Sequence, residues 1–457
     1  MSNVLDLVDQ TIFRVERAAD ITNLIQCVWV YDRAVDIGGL RRFHEHLQHG
    51  RLSRRIERSP LPFSRHRWVS PDEPSDIEVA EARPRDEFDA WLSEQADTSL
   101  DAEHGPGWHL AVLPFTDGGT GVSLIASHCI TDGVGLCEAV ADAAAGLDNP
   151  YSWPAAGARR KWQAVREDAR QTMRDAPAIG RALAAAARFL KHNNVAAALA
   201  DPSSSPAGTD EPITLPAATV FLDADEWDAR AHALGGTSNT LFAALAARVA
   251  YRTRRVAADG SVTLTMPING RSAGDTRANA ITNVDITVDP SGASTNLREI
   301  RSATKQALIR SATEPDERWA LTPLVLLVPE RLGKRFVGVA TNSAASVGAS
   351  NVGDIDPAVN RPDGTDADYF AMKSLSSGMT TAMMHQLGGL LSFLSGRADG
   401  RVFVSVVAYQ PDGSTTNEDL QEHVSSTLSD FSLTPAPGWA PPSQPSSTMR
   451  KTELIDA

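Results

Sequence analysis

Residues 127–133 read SHCITDG and contain the pattern His-x-x-x-Asp-Gly. The run before them, residues 121–130, is apolar in the manner of a buried strand. Gly133 tolerates backbone conformations that other residues avoid, so it can supply the turn into the Ala-rich stretch that follows. The stretch therefore predicts a strand, a histidine at its end, a tight turn and then a helix over residues 136–145.

His128 is the candidate catalytic residue of this stretch. Imidazole has an unperturbed pKa that suits proton transfer near neutral pH, and a side chain beside a turn can face a channel. Asp132 lies four residues later, where its carboxylate fits either an ion pair across the turn or a cap on the next helix. The same residues also fit a core histidine satisfied by hydrogen bonds and a structural aspartate, so the pattern alone leaves both interpretations open.

The chain has 457 residues, and its 57 acidic against 43 basic side chains give a net charge of −14. This length exceeds one usual hydrophobic core, which predicts two lobes. The acidic balance argues against a nucleic-acid-binding protein and against one held to anionic lipid by its net charge. The three cysteines form neither a CxxC pair nor a zinc-spaced cluster with histidine, so we expect a reducing compartment and no metal. No apolar run is long enough to span a membrane and the N-terminus lacks a signal pattern, which predicts a cytoplasmic protein.

Composition divides the chain into four parts. We expect an N-terminal lobe over residues 1–200, which carries the motif and a helical connection, and a Pro/Ser-rich linker over residues 201–216. A C-terminal lobe follows over residues 217–432, and then a flexible Pro/Ser-rich tail over residues 433–457. Within the helical connection, Pro177 predicts an interruption between two helices.

Local patterns mix helices with strands through both lobes, so the predicted fold class is α/β or α+β. Residues 237–239, Thr-Ser-Asn, are suited to a helix N-cap, and an apolar stripe at four-residue spacing follows them. Runs that are typical of strands lie at residues 218–222, 262–267, 283–288 and 401–408.

Over residues 9–412 the chain resembles the acyltransferases of the chloramphenicol acetyltransferase-like superfamily, which carry His-x-x-x-Asp-Gly in an N-terminal lobe. The likeness is greatest to the bacterial wax ester synthase/diacylglycerol acyltransferase group, and polyketide-associated acyltransferases and condensation domains are relatives. Four further family motifs have counterparts here in the same order: PGW at 106–108, NT at 239–240, MPINGR at 266–271 and SNVGD at 350–354.

The chain departs from that group at three places. The group usually has two adjacent histidines, and the first of the two is Ser127 here. The aspartate of its Asn-Asp pair is replaced by Thr240, and its Val-Pro-Gly reads Val352-Gly353-Asp354. These changes leave the fold as expected but count against wax ester or triacylglycerol synthesis. The acidic composition, with no evident amphipathic membrane-binding helix, points the same way.

The resemblance implies two lobes, each a mixed sheet with flanking helices, and an active-site channel between them. It implies that His128 takes the proton of a hydroxyl or amine acceptor as the acceptor attacks an acyl thioester without a covalent acyl-enzyme, and of the two it favours the hydroxyl. It also implies no tightly bound cofactor, because the acyl-CoA or phosphopantetheine-linked donor is a substrate. Since the chain has no visible carrier domain, an acyl carrier protein would act in trans, and Lys334 and Arg335 are its candidate docking site.

The resemblance assigns roles to other residues as well. Asp132 would be structural and paired with an arginine, for which Arg271 is the candidate through a bidentate pair. An exposed arginine that does not contact Asp132 is the alternative for this position. Asn351 is the candidate donor to the oxyanion of the tetrahedral intermediate, and a turn asparagine that satisfies local backbone fits the same position. The candidates for substrate binding are Gly133, Trp108, Arg271, Asn239 and His385.

Other interpretations stay open. A condensation-type domain or a binding protein on the same fold could hold carrier-bound intermediates without transfer, and cyclisation or epimerisation could use the same histidine. Cys129 should face away from His128 on a regular strand, so it is not expected to be a nucleophile. His385 also fits core packing, and the histidines within residues 44–49 fit a solvated helix face.

Overall fold

The computed structural model describes residues 2–71, 75–147, 152–192, 210–272, 274–313, 322–327 and 346–439. Within these residues the chain forms ten α-helices and thirteen strands. The helices are α1 (Leu7–Ala19), α2 (Ile37–His49), α3 (Phe88–Ala96), α4 (Gly133–Ala144), α5 (Lys161–His192), α6 (Ala224–Ala233), α7 (Ser238–Arg252), α8 (Arg298–Thr313), α9 (Thr381–Leu387) and α10 (Asn417–Asp430). No helix in this part of the chain is long and apolar enough to cross a membrane.

The strands form two main sheets and one two-stranded sheet, β2-β3. They are β1 (Thr22–Tyr31), β2 (Arg55–Glu57), β3 (Arg67–Val69), β4 (Glu78–Val79), β5 (Trp108–Pro114), β6 (Thr120–Ser127), β7 (Ala217–Asp223), β8 (Val262–Asn269), β9 (Ile281–Val288), β10 (Ser346–Asp354), β11 (Tyr369–Ser377), β12 (Leu390–Ala398) and β13 (Arg401–Tyr409). The first main sheet has the order β11-β1-β6-β5-β4 and the second β7-β13-β12-β10-β8-β9. The predicted mixed α/β class with a sheet in each lobe is confirmed.

The motif follows the central strand of the first sheet. Every residue of β6 is buried, and the strand pairs antiparallel with β1 on one side and β5 on the other. It ends at Ser127, and α4 starts at Gly133 with Asp132 as its N-cap. The predicted order of strand, histidine, turn and helix is confirmed, and the helix starts slightly earlier than expected. The N-cap of α7 is Thr237, and the four strand-like runs of the second half are β7, β8, β9 and β13.

One strand of the first sheet comes from the second half of the chain. β11 pairs antiparallel with β1 along nine positions, so backbone hydrogen bonds join the two halves directly. The predicted C-terminal lobe over residues 217–432 therefore does not coincide with the second sheet, because one of its strands, Tyr369–Ser377, lies in the first sheet. In the predicted linker, residues 201–209 lie outside the described residues, and Ile213 donates its N–H to the carbonyl of Met379.

The predicted break at Pro177 is wrong, because α5 runs continuously from Lys161 to His192. Tertiary packing holds the helix on both sides of the proline. Before it, Thr172 and Ser64 share a hydrogen bond of 2.6 Å, and after it Ala182 is buried. A proline removes one helical hydrogen bond, and tertiary contacts on each side offset that loss.

The predicted flexible tail begins later than expected. Trp439 is only 5% exposed and packs edge-on against Phe88 of α3 and Phe221 of β7. The backbone N–H of Ala436 also donates to the carbonyl of Phe221 (2.8 Å). The prediction is thus wrong for residues 433–439, which pack between elements of the two halves, and residues 440–457 lie outside the described residues.

Candidate active site around His128

His128 lies in the turn directly after β6, and its backbone is held from two sides. Its N–H donates to the carbonyl of Asn23 in β1 (2.8 Å), and its carbonyl accepts from Nδ2 of Asn279 (3.0 Å). The side chain is half-buried, and its Nδ1 is buried without a hydrogen-bond partner among the described residues. The interpretation of a core histidine satisfied by hydrogen bonds is therefore not supported. The protein fixes the position of the residue and leaves Nδ1 without a protein partner.

Asp132 is buried at the other end of the turn, where its carboxylate accepts several hydrogen bonds. Its Oδ1 accepts the backbone N–H of Gly135 (2.7 Å), which caps α4. Its Oδ2 accepts the backbone N–H of Ala280 (2.8 Å) and Nη2 of Arg271 (2.7 Å). Asp132 is only 2% exposed and both of its oxygens accept hydrogen bonds from the protein, so it holds the turn in place.

The predicted pairing of Arg271 with Asp132 is present, and its geometry differs from the one expected. A single nitrogen, Nη2, reaches the carboxylate, so the pair is not bidentate. The guanidinium also donates to the carbonyls of Arg277 and Ala278, each at 3.0 Å. Only 2% of the Arg271 side chain is exposed. The exposed arginine considered as the alternative is therefore wrong, and these contacts fit positioning of the turn better than substrate binding.

The segment between β8 and β9 runs across the His-bearing turn and is tied to α1. Both carboxylate oxygens of Asp9 accept from it: Oδ2 from the N–H of Ala278 (3.0 Å), and Oδ1 from the N–H (2.8 Å) and Nδ2 (3.1 Å) of Asn279. The same Nδ2 donates to the carbonyl of His128. Asn279 thus joins a fully buried carboxylate to the backbone of the candidate base.

Burial of the Asp9 carboxyl carries an electrostatic penalty. Burial raises its pKa to about 6, although the charge of Arg54 and the N–H groups of Ala278 and Asn279 favour the ionised form. An acid whose pKa is higher in the folded than in the unfolded chain binds more protons when folded. Its contribution to stability is therefore greatest below the unfolded pKa and is lost as pH rises through the folded pKa.

Asp9→Asn should change how stability depends on pH. The free energy of unfolding of the wild type should fall relative to that of the variant by up to about 3 kcal/mol between pH 4 and pH 7, since each pKa unit is worth ~1.4 kcal/mol. Urea unfolding of both proteins across this range measures the difference. Glu422→Gln, an exposed change on α10, is the charge-matched control. A constant difference between wild type and Asp9→Asn from pH 4 to pH 7 would contradict the assignment.

Glu16 and Cys129 form a second buried pair behind the histidine. Oε1 of Glu16 accepts the N–H (3.2 Å) and Nδ2 (3.0 Å) of Asn23, and Oε2 accepts the thiol of Cys129 (3.1 Å). Burial raises the pKa of the Glu16 carboxyl, and the charge of His128 opposes that rise. Burial also raises the pKa of the Cys129 thiol well above its usual value. A protonated thiol that donates to a carboxylate is a poor nucleophile, in agreement with the sequence prediction.

The segment SNVGD and the starts of two helices meet beside the motif. A Cβ added at Gly133 would lie 3.1 Å from Cγ1 of Val352, so a larger residue there would press on β10. Nδ2 of Asn351 donates to Oδ1 of Asn239 (3.2 Å) near the start of α7, and Oδ1 of Asn351 accepts the N–H of Gly353 (2.8 Å). Three of the predicted site positions, Gly133, Asn239 and Asn351, therefore lie in or next to one contact between the halves of the chain.

Trp108 and His44 both pack in the core of the first lobe. Trp108 begins β5, is 5% exposed and packs edge-on against the ring of His44 at 5.2 Å. His44 is itself buried and contacts Ser75 Oγ at 3.1 Å through Nε2, so the predicted solvated face is wrong for this histidine. The structure does not bring Trp108 to the motif turn as a substrate-binding residue.

His385 and the predicted carrier-docking residues do not join the site. His385 lies on the short helix α9 and is exposed, so neither a channel wall nor core packing describes it. Lys334 and Arg335 lie outside the described residues. Within the described part of the chain, no group of three or more His, Cys, Asp or Glu side chains is arranged to hold a metal ion.

Comparisons of sequence found no match: neither a protein-family model nor a curated protein matches this chain. Comparisons of structure found many. The first condensation domain of the CDA synthetase superposes with a TM-score of 0.55 at 15% identity, covering 96% of this chain and 99% of that one.

Two further structures match equally broadly. Polyketide synthase associated protein 5 from Mycobacterium tuberculosis has a TM-score of 0.53 at 14% identity, covering 93% of this chain and 97% of its own. The wax ester synthase/diacylglycerol acyltransferase from Marinobacter aquaeolei has a TM-score of 0.54 at 14% identity, covering 94% and 98%. The chain therefore has the chloramphenicol acetyltransferase-like fold, and the resemblance deduced from its motifs is confirmed at the level of the fold.

Proposed function

We propose that this chain is an acyltransferase that moves an acyl group from a thioester to a hydroxyl or amine acceptor, with His128 as general base. The observation that carries the proposal is a half-buried imidazole that makes no side-chain hydrogen bond within the described part of the chain, on a backbone anchored by Asn23 and Asn279. Nδ1 is closed off from solvent, so an acceptor would meet the ring at Nε2, and that nitrogen would take the proton.

In the proposed reaction, His128 removes a proton from the acceptor while the oxygen or nitrogen of the acceptor attacks the thioester carbonyl. The tetrahedral intermediate then collapses, the C–S bond breaks, and the departing sulfur takes the proton from the imidazolium. General base catalysis of this kind contributes roughly 10²–10⁴-fold. Asp132 and Arg271 would hold the turn that carries the base, which is the positioning on which such proton transfer depends.

The donor would be acyl-CoA or a phosphopantetheine-linked acyl group, and no tightly bound cofactor is needed. The wax ester synthase/diacylglycerol acyltransferase of the same fold is an acyltransferase by name, which supports acyl transfer to a hydroxyl over transfer to an amine. The condensation domain of the same fold supports a donor delivered by a carrier protein in trans. Both points rest on the shared fold.

Asn351 is the proposed donor to the developing oxyanion. One of its two amide hydrogens goes to Asn239, so a second remains for a ligand. Asn351→Ala should lower the rate of the chemical step by about 10²–10³-fold with little change in donor affinity, because this donor acts mainly in the transition state. Single-turnover kinetics measure the rate.

Asn239→Ala is the matched control for that prediction. It removes the partner of Asn351 and keeps the proposed donor, so its effect on the rate should be much smaller. A larger loss in Asn239→Ala than in Asn351→Ala would contradict the oxyanion assignment and place the important group on α7.

The alternative is a condensation-type domain or binding protein that holds acyl intermediates without transfer, or that performs altered chemistry such as cyclisation or epimerisation. The positions that depart from the family pattern favour it. Thr240 serves the capping box of α7 with Thr237, and Oγ of Ser127 accepts the N–H of Cys129. Both therefore have local structural roles in place of the family's histidine and aspartate.

Native mass spectrometry against a panel of acyl-CoAs and acceptors separates the two functions. An acyltransferase shows binding of the donor, followed by acylated acceptor and free thiol. A binding protein shows a stable complex with unchanged ligand. Binding without turnover across hydroxyl and amine acceptors would favour the alternative.

A further inference from the structure

The long helix α5 packs through one face against the first lobe and residues Thr322–Leu327. Asp168, 1% exposed at its side chain, pairs with Arg67 (2.9 Å) and Arg159 (2.9 Å), and Thr172 contacts Ser64. Ala182 is buried one turn before the last described side chains of the helix. These contacts fix the rotation of α5 about its own axis, so the side chains on its other face are presented to solvent in a set arrangement.

The outward face of α5 carries a line of large apolar side chains. Trp162 is 59% exposed, Val165 41%, Met173 67% and Leu183 51%. Spacings of three, eight and ten residues keep them within an arc of about 80° on an α-helix, and the line is about 32 Å long at 1.5 Å per residue. Exposed large apolar side chains aligned on one face of a helix mark an interaction surface.

A basic line runs beside the apolar one. Arg166, Arg170, Arg174 and Arg181 are all exposed, and their spacings of four and seven residues place them on the adjoining face of the helix. None of the four has a side-chain ion pair or hydrogen bond within the described part of the chain. The exposed acid of α5 is Glu167, which lies 3.6 Å from Arg159.

We propose that this face of α5, defined by Trp162, Val165, Met173 and Leu183 with the four arginines, binds the surface of an anionic membrane. A helix with apolar and basic lines side by side lies in the plane of a bilayer, its apolar side chains among the upper acyl chains and its cations at the headgroups. Tryptophan is well suited to that boundary. The inference is independent of the proposed acyl transfer.

The distribution of charge favours an anionic lipid surface as the binding partner of this face of α5. The chain as a whole carries −14, so an anionic surface repels most of it, and only a locally basic face can make the approach. A second copy packed on the same face would bring two arginine lines together, which is unfavourable. The straight line of about 32 Å also matches a flat, extended surface better than a compact protein contact. No amphipathic helix is evident from the amino-acid pattern alone, because the four apolar residues are spread over six turns among many alanines.

Co-sedimentation of the full chain with phospholipid vesicles tests this proposal. The wild type should bind vesicles of phosphatidylcholine with a quarter phosphatidylglycerol, bind pure phosphatidylcholine weakly, and lose binding as salt rises. Arg170→Glu with Arg174→Glu, and separately Trp162→Ser with Met173→Ser, should each weaken binding at least about tenfold. Arg41→Glu with Arg42→Glu, exposed on α2, makes the same change in net charge and should leave binding intact.

Two results would overturn the proposal. One is wild-type protein that sediments with anionic vesicles no more than with pure phosphatidylcholine. The other is an equal loss in the α2 and α5 charge variants, which would make the effect one of net charge alone. In the first case, binding of an acyl carrier protein that requires Arg170 and Arg174 would show that this face contacts a protein instead of a lipid.

Discussion

His128→Ala is expected to lower acyl transfer by at least about 10²–10⁴-fold while the protein folds normally. The rate falls because no other described group replaces a base at the end of β6. Folding is retained because Nδ1 of His128 has no protein partner and the contacts of the residue run through its backbone, which alanine preserves. Initial rates of thiol release and a thermal melt of the same sample give both quantities.

His232→Ala on α6 is the matched control, since that histidine is exposed. Its rate and melting temperature should equal those of the wild type. A His128→Ala variant with wild-type rate would show that the proton goes elsewhere. A variant that loses activity together with its melting transition would show that His128 is structural.

Asp132→Ala is expected to destabilise the fold by about 3–5 kcal/mol, the usual cost of removing one partner of a buried ion pair. The change removes the nearer of the two carboxylates beside the buried guanidinium of Arg271, leaving Glu138 at 3.8 Å. It also removes the acceptor for the N–H groups of Gly135 and Ala280. Urea unfolding measures the loss. If the alanine variant does not fold, Asp132→Asn keeps a cap on α4 and should show a smaller loss.

Asp354→Ala provides the comparison for this effect. Asp354 is 87% exposed at its side chain and lies 3.4 Å from Arg397, so its removal should cost less than about 1 kcal/mol. Similar losses in Asp132→Ala and Asp354→Ala would contradict a buried, turn-fixing pair between Asp132 and Arg271.

Local sequence signals predicted much of the motif region. An apolar run followed by His, Asp and Gly specifies a strand, a turn and a capped helix, because each of these features is decided within about ten residues. The same holds for the start of α7 at Thr237. The partnership of Arg271 with Asp132 needed more than local signals, and the resemblance to a known superfamily supplied it.

Long-range contacts were not predictable in this way. The pairing of β11 with β1 joins segments more than 300 residues apart, and no local pattern in either strand specifies its partner. The bridge from Asp9 through Asn279 to His128 likewise depends on how the lobes meet. One signal was available: Asp9, Phe13 and Glu16 are spaced to share one face of α1, and all three are buried. Acids on an apolar helix face mark buried polar contacts.

The most direct test of the central claim follows thiol release and protein mass together, with wild type and His128→Ala in parallel, over acyl thioesters combined with hydroxyl and amine acceptors. The account predicts thiol release that requires an acceptor in the wild type, almost none in His128→Ala, and no acylated protein in either. Acceptor-dependent release at equal rates in both proteins, or a wild-type mass increased by one acyl group, would contradict direct transfer with His128 as the base.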